Sequence, residues 1–587
     1  MTKPDCKSDF CFPLNVYARI LELEEGAVEY LHYGIFDHPQ EAASSAQRRA
    51  AEMLWRRLPP PCKTLDVGIG LGTTLARLAK AGYVTTGITP DAAQIRHAQQ
   101  RIGNAATLAE SCLEDFNTEP GSWGLILFQE SAQYIDPIDL LEGVDRLLSA
   151  DGEVIIMDEF ALRRNTPGRQ PLHYLPHFLA AAERFGMTAI ESIDLSVLAM
   201  PTLSWLLNAV TRHADLLKDE LGLGNEQIEL LTSSNRRYAE QYGAGVYGYF
   251  LLRLKRIAPP RWRPGRIVGD TRAAQMRLLF SQVFRQQMSP EHWEWKYGHG
   301  RGAGIGVWRQ SDGALVAHYG GITREIMLFG EPERAFLACD LMVAETDRGS
   351  LTRKGPAYLA AATFLEHELG YGAPHLLGIG FPNPRAYALP ERLGLYVGSL
   401  ARIQEVYWPS LDALPSLHQK VREIDLQTTS GSSIADVCWR QMCEATREFV
   451  IGVRDSSYLH HRYMAHPDKA YRVFHVQNRL NRKSLGLFIL RFPDTPTDRR
   501  CELLDLVGQP GKAPTLIRHA RRIARSFGFD GVYAWFSDNV IPKLSLPKEA
   551  TIKDVDVVVP GNNWTPSLPN EAVTGKWWLT GGDTDFR

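Results

Sequence analysis

Short apolar runs alternate with amphipathic stretches over the N-terminal part of the chain. The helix-like stretches cover 74–78 and 92–101, and Asp91 with Pro90 forms a cap at the start of the second one. This alternation of strand and helix predicts an α/β fold with a doubly wound parallel sheet. The strand-like runs between and beyond these helices lie at 63–65, 83–88, 125–128 and 152–158.

The composition changes after these elements. A stretch rich in Leu, Ala and His, at about 171–243, predicts a helical insert, and 247–254 follows as a β-rich run that we expect to form the last edge strand. Prolines in 257–265 then predict an extended linker, because they remove backbone donors and favour extended conformations. We therefore expect a first domain at 1–258.

The remainder of the chain contains an internal repeat. Short motifs in its first half recur 165 or 166 positions later, which predicts two copies of one domain, at 266–420 and 421–587. Each copy is expected to form several strands, then a loop, then a helix. The matching pairs are 293–297 with 459–463, 307–309 with 473–475, and 340–341 with 505–506.

The most informative motif is Asp66-Val67-Gly68-Ile69-Gly70-Leu71-Gly72, between a predicted strand and a predicted helix. Glycines in such a turn let backbone N–H groups approach a ligand, because no Cβ intervenes. An acidic residue before the first glycine can accept a hydrogen bond from an ammonium group. The motif and the ordered strands after it resemble class I S-adenosylmethionine (SAM) methyltransferases over about 20–256, which implies a Rossmann-like domain that binds SAM.

The resemblance also implies which residues contact the cofactor. One position departs from the family, since Thr89 stands where Asp or Glu commonly binds the ribose, and Asp91 or Gln94 could make that contact instead. The expected cofactor-binding residues are Asp66, Gly68, Gly70, Gly72, Thr89, Gln94, Cys112, Leu113 and Gln129.

An acceptor hydroxyl or amine needs a base before it can take a methyl group. Glu130 and Tyr134 lie in a segment that resembles the family's fourth motif, whose polar residues line the reaction site. His32 lies in an N-terminal segment similar to those that fold over SAM in related enzymes. These three residues are therefore the candidate catalytic groups.

The first repeat copy contains a possible phosphate-binding loop. A β-rich run ending at Val343 leads into a loop and a helix, and a helix N-terminus with backbone donors can bind a pyrophosphate. With Asn383 and Ala386 in register with a late family motif, this copy resembles the GNAT acyltransferases. The resemblance implies an α+β fold, acetyl-CoA or another acyl-CoA as cofactor, and Glu345 as a base acting through water. The expected CoA-binding residues are Val343, Arg348, Gly349, Gly355 and Asn383.

Two features depart from that family. The glycines of the loop are further apart than in the usual motif, and Pro390 occupies the position that often holds a tyrosine acting as general acid. Tyr387 or Tyr396 could replace that tyrosine. In the second copy, Pro510 interrupts the equivalent loop, so we expect a degenerate domain without CoA.

Bulk properties exclude several classes of function. The chain has 587 residues, a formal net charge of -2 and 44% hydrophobic residues, which gives no electrostatic signature of nucleic-acid binding. No apolar run is long enough to cross a membrane and no secretory signal is present, so we expect a cytoplasmic protein. The eight cysteines show no metal-ligand spacing, which predicts reduced thiols and no metal site.

Three functional hypotheses follow from these features. The first is a bifunctional tailoring enzyme that combines SAM-dependent methyl transfer with acyl-CoA-dependent N-acyl transfer on one small metabolite. The second is a methyltransferase whose GNAT-like half only binds substrate or a partner. The third is a lipid-modifying methyltransferase, suggested by Thr89 and Gln94. The sequence leaves the acceptor and the oligomeric state open.

Overall fold

The chain divides into two compact units. A computed structural model describes residues 10–349, 352–493, 499–547 and 549–587. The N-terminal unit comprises Met1–Arg164 and Gln170–Gly265, and the C-terminal unit comprises Asn165–Arg169 and Arg266–Arg587. Within the described ranges, no helix is long and apolar enough to cross a membrane.

The N-terminal unit is an α/β layer structure. Its helices are α1 (Leu14–Glu25), α2 (Ala43–Trp55), α3 (Thr73–Lys80), α4 (Ala92–Ile102), α5 (Pro137–Leu147), α6 (Leu175–Arg184), α7 (Ser196–Ala199), α8 (Pro201–Arg212), α9 (Ala214–Leu221) and α10 (Asn225–Gly243). Its strands are β1 (Lys63–Val67), β2 (Val84–Thr89), β3 (Thr107–Glu110), β4 (Trp123–Gln129), β5 (Leu148–Ala161), β6 (Met187–Asp194) and β7 (Tyr247–Arg256).

These strands form one sheet in the order β3-β2-β1-β4-β5-β7-β6. Strands β1 to β5 are parallel, and β7 runs antiparallel to both of its neighbours. Leu125 to Phe128 of β4 are fully buried, which explains their continuous apolar pattern, because helices cover both faces of a parallel sheet. The predicted doubly wound, Rossmann-like sheet is therefore present.

The edge of this sheet differs from the sequence-based expectation. We expected 247–254 to form the last edge strand, but β7 lies between β5 and β6, and β6 takes the edge. The expected helical insert at 171–243 accordingly contains a strand. Most residues of β6 are exposed or half-buried, so this strand lacks the apolar signal by which the other strands could be found.

The main segment of the C-terminal unit begins at Arg266, the last residue of β8 (Trp262–Arg266). Its helices are α11 (Gly269–Phe284), α12 (Pro290–Tyr297), α13 (Pro356–Glu368), α14 (Pro384–Arg392), α15 (Thr429–Ala445), α16 (Ser456–Leu459), α17 (Ala513–Ser526) and α18 (Asn570–Val573). Its strands are β9 (Gly302–Arg309), β10 (Leu315–Leu328), β11 (Glu331–Val343), β12 (Leu377–Ile379), β13 (Val397–Ser399), β14 (Ile403–Pro409), β15 (Gln419–Glu423), β16 (Val450–Gly452), β17 (Arg472–Asn478), β18 (Ser484–Arg491), β19 (Arg500–Val507), β20 (Gly531–Ser537), β21 (Thr551–Asp554), β22 (Pro560–Gly561) and β23 (Trp577–Trp578).

The order of elements repeats within this unit. In the first half, β9, β10 and β11 form an antiparallel meander, and α13 connects β11 to the parallel strand β12. In the second half, β17, β18 and β19 form the same meander, and α17 connects β19 to the parallel strand β20.

The repeat extends to individual buried contacts. The Tyr297 hydroxyl donates to Asp340 at 2.6 Å, and the Tyr463 hydroxyl donates to Asp505 at 2.5 Å. Lys296 lies beside the first of these pairs, with its Nζ 2.9 Å from an oxygen of Asp340. These residues belong to the segments whose repetition the sequence indicated.

The two sheets of the C-terminal unit exchange strands. The first has the order β12-β11-β10-β16-β23, with β9 also pairing with β10, and so takes β16 and β23 from the second half of the sequence. The second has the order β15-β17-β18-β19-β20-β14-β21, and so takes β14 from the first half. The predicted division at 420 and 421 therefore separates sequence halves and not sheets, and the domain bounds stay a prediction.

Candidate functional site

A cavity of 780 Å³ lies in the N-terminal unit at the carboxyl ends of β1, β2 and β4. Ligands of open α/β sheets bind at this edge. The cavity wall includes every residue that we predicted for the methyltransferase site except Gly72. The predicted residues in the wall are His32, Asp66, Gly68, Gly70, Thr89, Gln94, Cys112, Leu113, Gln129, Glu130 and Tyr134.

The three glycines of the turn have different neighbours. All three have positive φ, at 81° for Gly68, 51° for Gly70 and 74° for Gly72. A Cβ on Gly68 would lie 2.4 Å from Cβ of Ser131, whereas the nearest atom to a Cβ on Gly70 is Leu31 Cδ1 at 3.9 Å. A Cβ on Gly72 would meet the side chain of Ala98 at 2.9 Å, so Gly72 allows α3 to pack on α4. Gly70 is therefore the glycine that leaves open space in the turn.

Asp66 provides a buried acceptor beside this turn. It lies on β1 with 2% of its surface exposed, and its Oδ1 has no hydrogen-bond partner. Burial raises the pKa of this carboxyl to about 7. An unpaired buried carboxylate oxygen is costly, and an ammonium donor would satisfy it. Asp66 therefore fits as the acceptor for the ammonium group of SAM.

A small polar network lies at the end of β2, where the sequence placed the ribose contact. The Thr89 hydroxyl donates to Gln94 Oε1 at 3.2 Å, and Asp91 Oδ1 accepts from the backbone N–H groups of Ala93 and Gln94. Asp91 therefore acts as the cap of α4. Both alternatives, Asp91 and Gln94, lie in the cavity wall, and the side chain of Gln94 also contacts Thr89.

The remaining predicted cofactor residues lie further along the wall. Cys112 is exposed, and Leu113 is buried with 1% of its surface accessible. The preceding residue, Ser111, donates its N–H to the Thr89 carbonyl at 3.0 Å, which fixes this segment against β2. Gln129 ends β4 and is half-buried.

His32 is held in one tautomer by its surroundings. It is 8% exposed, and its Nδ1 lies 2.9 Å from the Tyr33 carbonyl oxygen, so Nδ1 carries the proton that it donates. Burial lowers the pKa of His32, which keeps the ring neutral at pH 7. Nε2 then presents a lone pair, and it has no hydrogen-bond partner. One ring nitrogen of His32 is therefore able to accept a hydrogen bond or a proton from a ligand.

Glu130 lies directly after β4 with a left-handed backbone, φ 55°. Its Oε1 accepts hydrogen bonds from the Tyr33 N–H at 2.5 Å and from the Tyr249 hydroxyl at 2.7 Å. Burial raises the pKa of Glu130 well above its usual range, and Glu159 and Asp158 add to this effect, while the two hydrogen bonds oppose it. Both bonds use Oε1, so Oε2 remains to meet a ligand.

Sequence reasoning missed two carboxylates next to Glu130. Asp158 and Glu159, near the end of β5, are 0% and 4% exposed, and burial raises the pKa of each to about 7. Glu159 lines the cavity and accepts a 2.7 Å hydrogen bond from the Tyr242 hydroxyl. Their position at the carboxyl end of a predicted parallel strand was the signal that could have found them.

Tyr134 has the most open position of the predicted catalytic residues. Its side chain lines the cavity but is 82% exposed. It therefore lies at the mouth of the cavity, where it can contact an entering molecule.

The predicted acyl-CoA residues lie at the end of β11 and in the loop after it. Val343 is half-buried and ends β11, whereas Glu345, Arg348 and Gly349 are exposed. Arg348 Nε donates to the Val343 carbonyl at 3.0 Å, which folds this side chain back onto the strand. Residues 350 and 351 lie outside the described ranges.

Two further predicted residues act locally as helix caps. Gly355 caps α13, and its N–H donates to the Thr352 carbonyl. The first residue of α13 is Pro356, which has no N–H to offer a phosphate. Asn383 caps α14 by accepting from the Ala386 N–H at 2.9 Å.

Comparison with known proteins identifies part of the chain. Residues 65–156 match the family model described as a methyltransferase domain. The protein is a SAM-dependent methyltransferase. The matched residues run from β1 into β5 and include the glycine-rich turn, so the methyltransferase assignment rests on the unit that holds the cavity. No curated protein matches the chain.

Several solved structures are similar in fold to part of the chain. The [4+2]-cyclase SpnF is 16% identical with a TM-score of 0.36, and the match covers 40% of this chain and 92% of that chain. A putative sarcosine dimethylglycine methyltransferase from Galdieria sulphuraria is 15% identical with a TM-score of 0.35, covering 41% and 98%. A geranyl diphosphate C-methyltransferase from Streptomyces coelicolor A3(2) is 18% identical with a TM-score of 0.33, covering 43% and 95%.

Proposed function

We propose that the N-terminal unit transfers a methyl group from SAM to a small-molecule acceptor inside the cavity. The observation that carries this proposal is the unpaired, buried Oδ1 of Asp66 next to the open turn at Gly70. Together they offer an ammonium acceptor and a close backbone approach at the sheet edge where a nucleoside cofactor binds. When bound there, SAM supplies an electrophilic methyl group.

The residues deeper in the cavity would activate the acceptor. His32 Nε2 is free to take a proton from the acceptor, and Glu130 Oε2 is free to orient the acceptor group that loses this proton. Tyr134, at the mouth, would contact the outer part of the acceptor. Positioning the acceptor next to the methyl group supplies much of the rate in such a displacement.

Calorimetric titration with SAM and with its demethylated product tests this function. We expect one binding site per chain, and Asp66→Asn should weaken binding about 5- to 150-fold, which corresponds to about 1–3 kcal/mol. The matched control is Asp115→Asn, an exposed carboxylate outside the cavity wall, which should leave the affinity unchanged. Equal affinities of the wild type and Asp66→Asn would refute the assignment.

A second candidate function concerns the first half of the C-terminal unit, where we propose acyl transfer from an acyl-CoA. The supporting observation is that β11 and β12 pair only up to Leu337 and Ile379, while β11 continues to Val343. Where two parallel strands separate, the backbone N–H and C=O groups between them are no longer paired, and a ligand can form hydrogen bonds with them. With methyl transfer, this would make the protein the bifunctional enzyme of the first hypothesis.

The competing hypothesis, a C-terminal unit that binds without catalysis, is favoured by Pro356 and by the bond from Arg348 to Val343. Titration with acetyl-CoA separates the two. If the loop binds CoA, Arg348→Glu should weaken binding at least tenfold, because it places a negative charge beside phosphates. Lys512→Glu in the second half should have little effect. No binding at about millimolar concentration would favour the non-catalytic hypothesis.

A further inference from the structure

The charges on the cavity wall have one sign. The chain has 65 lysines and arginines in total, yet none of them is among the described residues that line the cavity. The wall holds the carboxyl groups of Glu29, Asp66, Asp91, Glu114, Glu130 and Glu159. Ionised carboxyl groups repel anions and attract cations. Both interactions are stronger in a partly dry cavity than in bulk water, because the effective dielectric constant is lower there.

The inner carboxylates have neutral hydrogen-bond donors. Glu130 accepts from the Tyr33 N–H and the Tyr249 hydroxyl, and Glu159 accepts from the Tyr242 hydroxyl. These bonds orient the two carboxyl groups but place no positive charge beside them, and burial raises the pKa of both in the free protein. A cation that enters the cavity would favour their ionised forms and pair with them.

Two further polar atoms in the same wall have no hydrogen-bond partner. They are Nε2 of His32 and Nδ2 of Asn235, on side chains that are 8% and 6% exposed. Buried polar atoms in native proteins are nearly always paired, so unpaired ones that line a cavity point to a ligand. With Nδ1 protonated, Nε2 of His32 can only accept a hydrogen bond, and an N–H group of a ligand is a matching donor.

Aromatic rings complete the inner wall. Tyr17, Tyr33 and Tyr238 line the cavity, and the ring of Tyr33 stacks on that of Tyr249 with 5.6 Å between centroids. The faces of aromatic rings attract ammonium groups, and this attraction grows as water is excluded.

We propose that the methyl acceptor is an organic amine that enters as an ammonium ion and is methylated on nitrogen. The inference rests on the proposed methyl transfer and names its substrate class. The carboxylates and tyrosines would draw the ammonium in, and Glu130 and Glu159 would hold it against His32. Carboxylate and phosphate substrates would be disfavoured by the same charges.

The step balances with the groups present. His32 Nε2 takes a proton from the ammonium and becomes an imidazolium, whose positive charge the Glu29 carboxylate favours. The freed nitrogen lone pair forms the new C–N bond as the C–S bond of the methyl donor breaks, and sulfur keeps that electron pair. The products are a methylated ammonium ion and a neutral thioether, and His32 returns its proton to solvent when they leave.

A pair of isosteric probes tests the charge preference directly. Choline and 3,3-dimethylbutan-1-ol have nearly the same shape and differ in one positive charge. Each is titrated into the full chain saturated with the demethylated product of SAM. We expect choline to bind at least tenfold more tightly, and we expect Glu159→Gln to reduce this preference several-fold. The matched control, Glu119→Gln, changes an exposed carboxylate outside the wall and should keep the full preference.

The outcomes separate this inference from the proposed function. Failure of the SAM product to bind at all would refute the methyltransferase site itself. Binding of that product together with equal affinities for the two probes, or with no choline binding below about 50 mM, would overturn the amine proposal alone. Because the probe pair is compared on the wild-type protein, the test does not depend on the folding of any variant.

Discussion

The hydroxyl of Tyr249, on β7, donates a 2.7 Å hydrogen bond to Oε1 of Glu130, the residue directly after β4. The bond connects positions 119 residues apart and fixes a carboxyl group whose backbone is left-handed, with φ 55°. A left-handed non-glycine residue costs about 1 kcal/mol or more, so surrounding contacts must maintain it. The candidate site is thus stabilised by a contact between the residue after β4 and β7, which lies two strands away in the sheet.

Removing this hydroxyl tests the contact. Tyr249→Phe leaves a buried carboxyl group with one donor fewer, and we expect the free energy of unfolding to fall by about 1–2 kcal/mol. Chemical denaturation followed by fluorescence measures this change. Tyr134→Phe serves as the control, because that side chain is 82% exposed, and it should change stability by less than about 0.5 kcal/mol. Equal effects of the two substitutions would contradict the role of the bond.

The affinity for SAM should depend on pH through Asp66. Burial raises the pKa of its carboxyl to about 7 in the free protein, so at pH 6 most molecules carry the neutral acid. An ammonium ligand needs the carboxylate, and we therefore expect affinity to rise up to about tenfold between pH 6 and pH 7.5. Calorimetry across this range gives the slope. In Asp66→Asn the rise should be smaller, and an unchanged slope would assign the titration to another group.

The glycines of the turn should respond differently to an added methyl group. The Cβ of Gly70→Ala meets open space, so this variant should fold and lose SAM affinity. The Cβ of Gly68→Ala meets Ser131 at 2.4 Å, so this variant should lose stability first. Thermal denaturation and SAM titration of both proteins separate the effects. A Gly70→Ala protein with wild-type affinity would show that the ligand does not approach this residue.

The proline-containing segment at the boundary between the units should be open to proteases. Ile257 is 72% exposed, and the residues from there to Pro260 have no regular secondary structure. Limited proteolysis followed by mass spectrometry should give an early cut between 257 and 261. The C-terminal fragment should then persist as one piece, because its two sheets share strands. A stable fragment ending near residue 420 would contradict this result.

The Lys296 ammonium group should be essential to the stability of the C-terminal unit. It is 3% exposed and forms ion pairs with Asp340 and Asp585, both at 2.9 Å. Lys296→Met removes the cation and leaves the carboxylates buried without compensation, which costs about 3–5 kcal/mol. We expect a lower denaturation midpoint for this unit by calorimetry. As a control, Lys354→Met at an exposed position should leave that midpoint unchanged.

The turn after β1 could be predicted because its signal is local. The positive φ of Gly68, Gly70 and Gly72 favours glycine, because glycine has no Cβ to clash with the backbone. The apolar patterns on either side of the turn identify the strand and the helix. The repeat was found for a similar reason, since Tyr297 and Tyr463 keep their partners Asp340 and Asp505 in both halves. Short-range constraints of this kind leave a pattern in the sequence.

The acidic inner wall could not be predicted in the same way. Glu159 receives its hydrogen bond from Tyr242, 83 positions away, and the raised pKa of Glu159 comes from burial that only the folded chain creates. Tyr134 could be identified from its motif position, and the fold places its ring at the mouth of the cavity. The edge strand β6 was missed because its exposed residues carry no apolar alternation.

The exchange of strands in the C-terminal unit has a consequence for its synthesis. The first sheet is completed by β23, whose residues Trp577 and Trp578 pair with β16 and are 1% and 2% exposed. The ribosome must therefore translate the chain as far as Trp578 before β16, the strand that pairs with β10, gains its second neighbour. Until then the growing chain exposes an unfinished sheet edge, so nascent-chain folding should be delayed and chaperone contact prolonged in this part of the protein.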